Sequence, residues 1–211
     1  LVGIPLECQE DLYFRNLEGK GTLFGKIVPG SGPLRTIVKL LSVSRTGNTF
    51  IEAFAVECRQ KEALIYRMET RFGHFPEADL QKQVGLPMAK EEKQQLQDSN
   101  LALNLLEKPA AYFNDRLSLP HPPLLMIGKI AGYWPKGGKY QSGCVLAERE
   151  IQGKDWYFKA HFFQDPVQPG SLGIEAMLQT LRWYMLHEGL DQGMKQPVFQ
   201  PLAMDQELEW K

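Results

Sequence analysis

The stretch AHFFQDPVQPGSLGIEAMLQ, residues 160–179, sets one histidine, His161, fourteen positions ahead of one glutamate, Glu175, with an Asp-Pro and a Pro-Gly between them. The aromatic run DWYFKAHFF before it reads as a strand that closes at His161. After it, IEAMLQTLRWYMLHEGL carries Ile174, Met177, Leu178, Leu181 and Met185 at helical spacing, which predicts a helix that buries this face and stops at Gly189. A histidine of ordinary pKa, ~6.5, exchanges a proton near neutrality, and a carboxyl shielded from water can return one. Pro169-Gly170-Ser171 leads into the helix, whose first N–H groups lack intrahelical partners and can hold a developing oxyanion. From spacing alone, a histidine at a strand end is more often a packed core residue and an early-helix glutamate often only a partner of the helix dipole.

Outward from this stretch, residues 20–75 read as four strands: KGTLFGKIV, PLRTIVKLLSVSR, TFIEAFAVECRQ and ALIYRMETRFGHF. The signals PGSG and TGN between them predict an antiparallel meander, and TFIEAFAVECR alternates as a half-buried strand does. Arg35, Arg45, Arg59, Arg67 and Arg71 stud this group and are expected on its solvated outer face. From Ala78 to Lys108 the composition turns to Gln, Lys, Glu and Leu, which predicts a partly helical, exposed connector. Strand signals return in PPLLMIGKIAGYW and YQSGCVLAEREIQ, and again in MDQELEWK near the end of the sequence.

The 211 residues, 43% of them apolar, suffice for a core. With 24 Lys and Arg against 25 Asp and Glu, the charge of -1 offers no field to attract nucleic acid or an anionic bilayer. No apolar run approaches the roughly 20 residues of a membrane span, and no signal-peptide zones open the sequence, so a cytoplasmic location is expected. Cys8, Cys58 and Cys144 fit neither a disulfide framework nor zinc knuckles, and imply a reducing compartment. His74, His121 and His187 have no metal-ligand spacing, so no metal is expected. Gly19-Lys20-Gly21-Thr22 lacks the glycine and hydroxyl pattern of a P-loop and reads as a turn.

HFFQDPVQPGSLGIEAMLQ resembles the signature of the β-hydroxyacyl-acyl-carrier-protein dehydratases: a histidine, DPVMPG-like residues, then an acid fourteen positions on. With LPHPPLLMIGKIAGYW and GPLRTIVKLLSVSRTGNTFIEAFAVECR, the wording is most similar to the tandem dehydratase domains of polyunsaturated fatty acid synthases and related polyketide synthases. The resemblance implies an α+β hot-dog fold, an antiparallel sheet wrapped around a long helix, here as parts of a double hot-dog. Residues 1–76 would be the C-terminal strands of a first unit, 77–119 a linker, and 120–211 the N-terminal strands and central helix of a second, each unit incomplete.

The implied activity is removal of water from a β-hydroxyacyl thioester carried on the phosphopantetheine of an acyl carrier protein, with no other cofactor. His161 matches the base, Gly170 the oxyanion-binding amide, and Val167 the position whose carbonyl orients the histidine. Ser171 occupies the small-residue site, often a cysteine; Pro169 breaks any G-x-S-x-G reading of it. Glu175 stands where the isomerising branch has aspartate, so the isomerase step is not implied. Implied partners are the carrier protein and the complementary hot-dog halves of the same synthase or a homodimer mate, because the family's histidine commonly faces the acid of the partner unit. The alternatives are a non-catalytic hot-dog that scaffolds or docks the carrier, and a hot-dog thioesterase.

Overall fold

The computed structural model describes residues 3–8, 10–27, 30–82, 84, 87, 90–97, 100–162, 164–200 and 204–210. In chain order its strands are β1 (Tyr13–Leu23), β2 (Leu34–Thr46), β3 (Thr49–Gln60), β4 (Ala63–Phe75), β5 (Leu103–Asn104), β6 (Lys129–Trp134), β7 (Cys144–Glu148) and β8 (Glu207–Trp210). The helices are α1 (Glu77–Leu80), α2 (Lys90–Gln97) and α3 (Gly170–His187). Contacts divide the chain into a unit of residues 1–85 with 200–211 and a unit of residues 86–199.

The first unit is one antiparallel sheet in the order β2-β3-β4-β1-β8. Tight hairpins join β2 to β3 and β3 to β4, with Gly47 (φ 59°) and Lys61 (φ 55°) supplying the left-handed residues such turns require. The expected four-strand meander is corrected at β1, which starts earlier than predicted, at Tyr13, and pairs with β4 instead of β2. The pairing with β4 continues past the end of β1, where the Phe24 and Gly25 N–H groups both donate to Ile65 O. The expected strand residue Val28 lies outside the described residues. β8 adds to the far side of β1, with the Trp210 ring on Gly19: a Cβ there would come within 2.3 Å of the ring.

Alternation in β3 sends Phe50, Glu52, Phe54 and Val56 inward. The polar member, Glu52, meets His74 Nε2 through Oε2 at 3.2 Å. Several arginines expected on the outer face are partnered: Arg59 and Arg67 with Glu57, and Arg71 with Glu18. Arg45 lies over the Phe50 ring. β2 is exposed along its whole length, and Leu34, Ile37, Val38, Leu40, Leu41 and Val43 all stand open.

In the second unit, β5-β6-β7 form a small antiparallel sheet. Its core gathers Leu105, Tyr112, Leu119, Leu125, Ile127, Ile130 and Trp183, so the 77–119 segment expected as a linker contributes three core residues, one of them, Leu105, from the stretch read as an exposed connector. α3 ends in a Schellman turn: Gly189 N–H donates to Leu186 O, Leu190 N–H to Met185 O, and Gly189 has φ 63°.

Two expectations fail here. Over its described residues 155–162, the run DWYFKAHFF is not a strand; Trp156–Lys159 form a 3-10 turn, because the preceding Asp155 organises the chain through local hydrogen bonds that alternation of aromatics does not reveal. The face of α3 predicted to be buried is largely open: Ile174, Met177, Leu181 and Met185 are exposed, Met177 at 70%. The buried residues are Gln179 and Trp183, with Ala176, Tyr184 and Leu186 packed alongside. α3 is apolar on more than one side, and the Trp183 ring, stacked on His187 and tilted against Tyr112, decides which side faces the core. Trp183→Ala is therefore expected to cost roughly 3–5 kcal/mol in urea denaturation, and Met177→Ala to stay within about 0.5 kcal/mol. Equal losses would reverse the assignment of faces.

Candidate functional site

The loop that carries His161 is built from Asp155. Its Oδ2 accepts from Gln152 N–H at 3.0 Å and from the Tyr157 hydroxyl at 2.9 Å, while Oδ1 pairs with Arg149 Nη2 at 3.4 Å. The Gln152 N–H, with Tyr157 and Arg149, holds the Asp155 carboxyl below its usual range. Tyr157 is buried, and its carbonyl accepts from His161 N–H at 3.0 Å. Beyond His161 the chain closes on itself. Phe162 and Asp165 exchange backbone hydrogen bonds around Gln164 (φ 58°), and Val167 N–H donates to His161 O at 3.0 Å.

The half-buried imidazole sits with Nδ1 2.9 Å from Val167 O. A carbonyl oxygen only accepts, so Nδ1 carries the proton, and neutral His161 keeps its lone pair on Nε2. Val167 thus holds His161 twice, through main chain and ring. The Phe162 ring stacks on the imidazole at 3.7 Å between centroids.

α3 begins at Gly170 after Pro169, with no side-chain cap, and the Gly170 and Ser171 N–H groups make no hydrogen bond among the described residues. Both residues are exposed, and a Cβ built on Gly170 would meet nothing within 4 Å. The protein's own packing does not require glycine there. What remains is an open pair of backbone donors at the positive end of a helix.

Glu175 lies one turn further on, half-buried. Its Oε1 receives Gln179 Nε2 at 2.9 Å and Arg182 Nη1 at 3.0 Å, while Oε2 has no partner among the described residues. Gln179 is fully buried. Its Nε2 also donates to Leu124 O at 2.9 Å, and its Oε1 accepts from Met126 N–H at 2.7 Å. Arg149 Nη1 donates to Leu125 O between these two anchors.

No hydrogen bond joins His161 to Glu175 among the described residues. Both halves of the candidate site are nevertheless tied to segment 124–126, His161 through Asp155 and Arg149, Glu175 through Gln179. Sequence reading missed Gln179 and Arg182, although they stand four and seven residues after Glu175 and so share its helix face. The other histidines are packed elsewhere: His74 on Glu52, His187 by the Tyr112 hydroxyl, and His121 against Phe113. Among the described residues no group of three or more His, Cys, Asp or Glu could hold a metal ion, and no helix is long and apolar enough to cross a membrane. Cys8, Cys58 and Cys144 are free thiols.

Residues 119–211 match the family model described as a FabA-like domain, a hot-dog dehydratase family. The matched span contains His161, Val167, Gly170, Ser171 and Glu175, and an α+β architecture of antiparallel strands with one main helix is consistent with it.

Because the Asp155 carboxyl is held below its usual value, it contributes stability that is complete above its unfolded value of about 3.8 and is lost as pH falls through the lower folded value. Asp155→Asn should remove that component, flattening the acid limb of a melting temperature against pH curve below about pH 4. An unchanged acid limb would contradict the assignment.

Proposed function

We propose that this chain supplies dehydratase machinery that removes water from a β-hydroxyacyl thioester borne on the phosphopantetheine arm of an acyl carrier protein, within a polyunsaturated fatty acid or polyketide synthase. The observation that carries the reading is the bond from His161 Nδ1 to Val167 O, which fixes the ring and makes Nε2 the nitrogen that can take up a proton. In the proposed step, Nε2 of His161 takes the α-proton and the electrons of that C–H bond form the double bond. The β-carbon to oxygen bond breaks, and the departing hydroxyl takes a proton from Glu175 or its counterpart in a partner unit and leaves as water. The imidazolium returns its proton to solvent, and the carboxylate is reprotonated. The thioester oxygen gains enolate charge in the course of this step, and the open N–H of Gly170 at the helix start is suited to stabilise it.

His161 and Glu175 share no hydrogen bond, and the apolar faces of β2 and α3 stand open. Both facts favour sites completed by a complementary hot-dog half or a homodimer mate, and they also leave room for a carrier-docking scaffold as the second reading. In the full-length protein, His161→Ala is expected to reduce enoyl thioester formation by about a hundredfold or more, with a melting temperature close to that of the parent. Enoyl product at the parent rate would end the dehydratase reading. Carrier binding without turnover in both would select the scaffold, and free acid in place of enoyl thioester would select thioester hydrolysis.

A further inference from the structure

Outside the machinery just described, the molecule holds three notable features. The Glu52 and His74 pair is sealed, with Glu52 Oε1 and His74 Nδ1 buried and lacking a hydrogen-bond partner among the described residues, so it has no access for a ligand. The edge strand β2 is apolar and open, but nothing in the structure shows what covers it. The third is a cation whose position bears directly on the acid.

We propose that Arg182 is a positioning residue for Glu175: it fixes which carboxyl oxygen carries the transferable proton and stabilises the charge that appears when the proton leaves. The inference rests on the dehydratase reading of the site. Glu175, Gln179 and Arg182 occupy one face of α3 at spacings of four and three. Gln179 Nε2 and Arg182 Nη1 both donate to Oε1, at 2.9 and 3.0 Å. With one oxygen occupied by two donors, a proton on the acid form resides on Oε2.

When Oε2 gives its proton to the departing hydroxyl, the carboxyl becomes an anion. The guanidinium is already in place at Oε1, so no reorganisation is needed as that charge develops. Arg182 is itself held in position: its guanidinium lies 5.5 Å from the centre of the Phe199 ring, and its side chain is only 25% exposed. Gln179 cannot substitute for it, because a neutral amide orients the carboxyl without countering the charge. Loss of Arg182 therefore acts on the chemical step, with little effect on substrate binding.

The test is a double-mutant cycle in the full-length protein, with a β-hydroxyacyl N-acetylcysteamine thioester as the probe. Arg182→Gln is expected to lower kcat about tenfold with KM within about twofold, and Arg182→Lys to recover most of the loss. In a Glu175→Gln background, Arg182→Gln should add nothing, because the group it acts through has gone. A parent-like kcat in Arg182→Gln, or the same loss in both backgrounds, overturns the proposal.

A readout independent of turnover is exchange of the Arg182 guanidinium N–H protons. It should be slow in the parent and fast in Glu175→Gln; equal exchange in the two also overturns the proposal, and the measurement remains available if Arg182→Gln does not fold. If instead His161→Ala and Glu175→Gln both dehydrate the probe at the parent rate, the dehydratase reading has failed. Altered Arg182 exchange would then still establish the ion pair.

Discussion

The backbone of residues 124–126 is the anchor on which the candidate site depends. Three successive residues are held by side chains from two directions: Leu124 O and Met126 N–H by Gln179 of α3, and Leu125 O by Arg149. The Gln179 side chain is itself fully buried, and leaving a buried donor or acceptor without a partner costs roughly 1–3 kcal/mol. The helix therefore cannot slide or rotate against this segment without breaking several bonds at once. The position of Glu175, one turn before Gln179, follows from that restraint.

The same segment reaches His161 by another route. Arg149 ties Leu125 to Asp155, Asp155 holds the Tyr157 hydroxyl, and the Tyr157 carbonyl holds His161 N–H. The local loop then closes through Val167, which accepts from the ring and donates to the main chain. His161 and Glu175, which share no hydrogen bond, are thus supported by one framework. Such polar networks rigidify a site most when every member is satisfied; here the buried Arg149 Nε lacks a partner, and among the described residues so do Nε2 of His161 and Oε2 of Glu175.

Surface and core divide along lines that hydrophobicity alone does not draw. The second unit places the Trp183 ring in the core, and so leaves Ile174, Met177, Leu181 and Met185 outside. The first unit buries Glu52 and His74 among aromatic rings and exposes six large apolar residues of β2. Scattered apolar residues on a surface are ordinary, but an open apolar strand and an open apolar helix face are the pattern expected of surfaces that meet other protein.

The sequence by itself determined the existence of β2, β3 and β4, the long helix with its Pro-Gly entry and its stop at Gly189, and strand β8. These are local properties: propensity, alternation, turn residues and a motif. Only the tertiary structure decided that β1 joins β4, that Trp156–Lys159 coil instead of extending, and that α3 presents Gln179 and Trp183 inward. Each of those outcomes turns on partners distant in the chain, or on hydrogen bonds to an aspartate that no periodicity records. The roles of Gln179 and Arg182 stayed hidden for the same reason. Their spacing from Glu175 is visible in the chain, but an amide or a guanidinium acquires meaning only when folding sets which oxygen it faces.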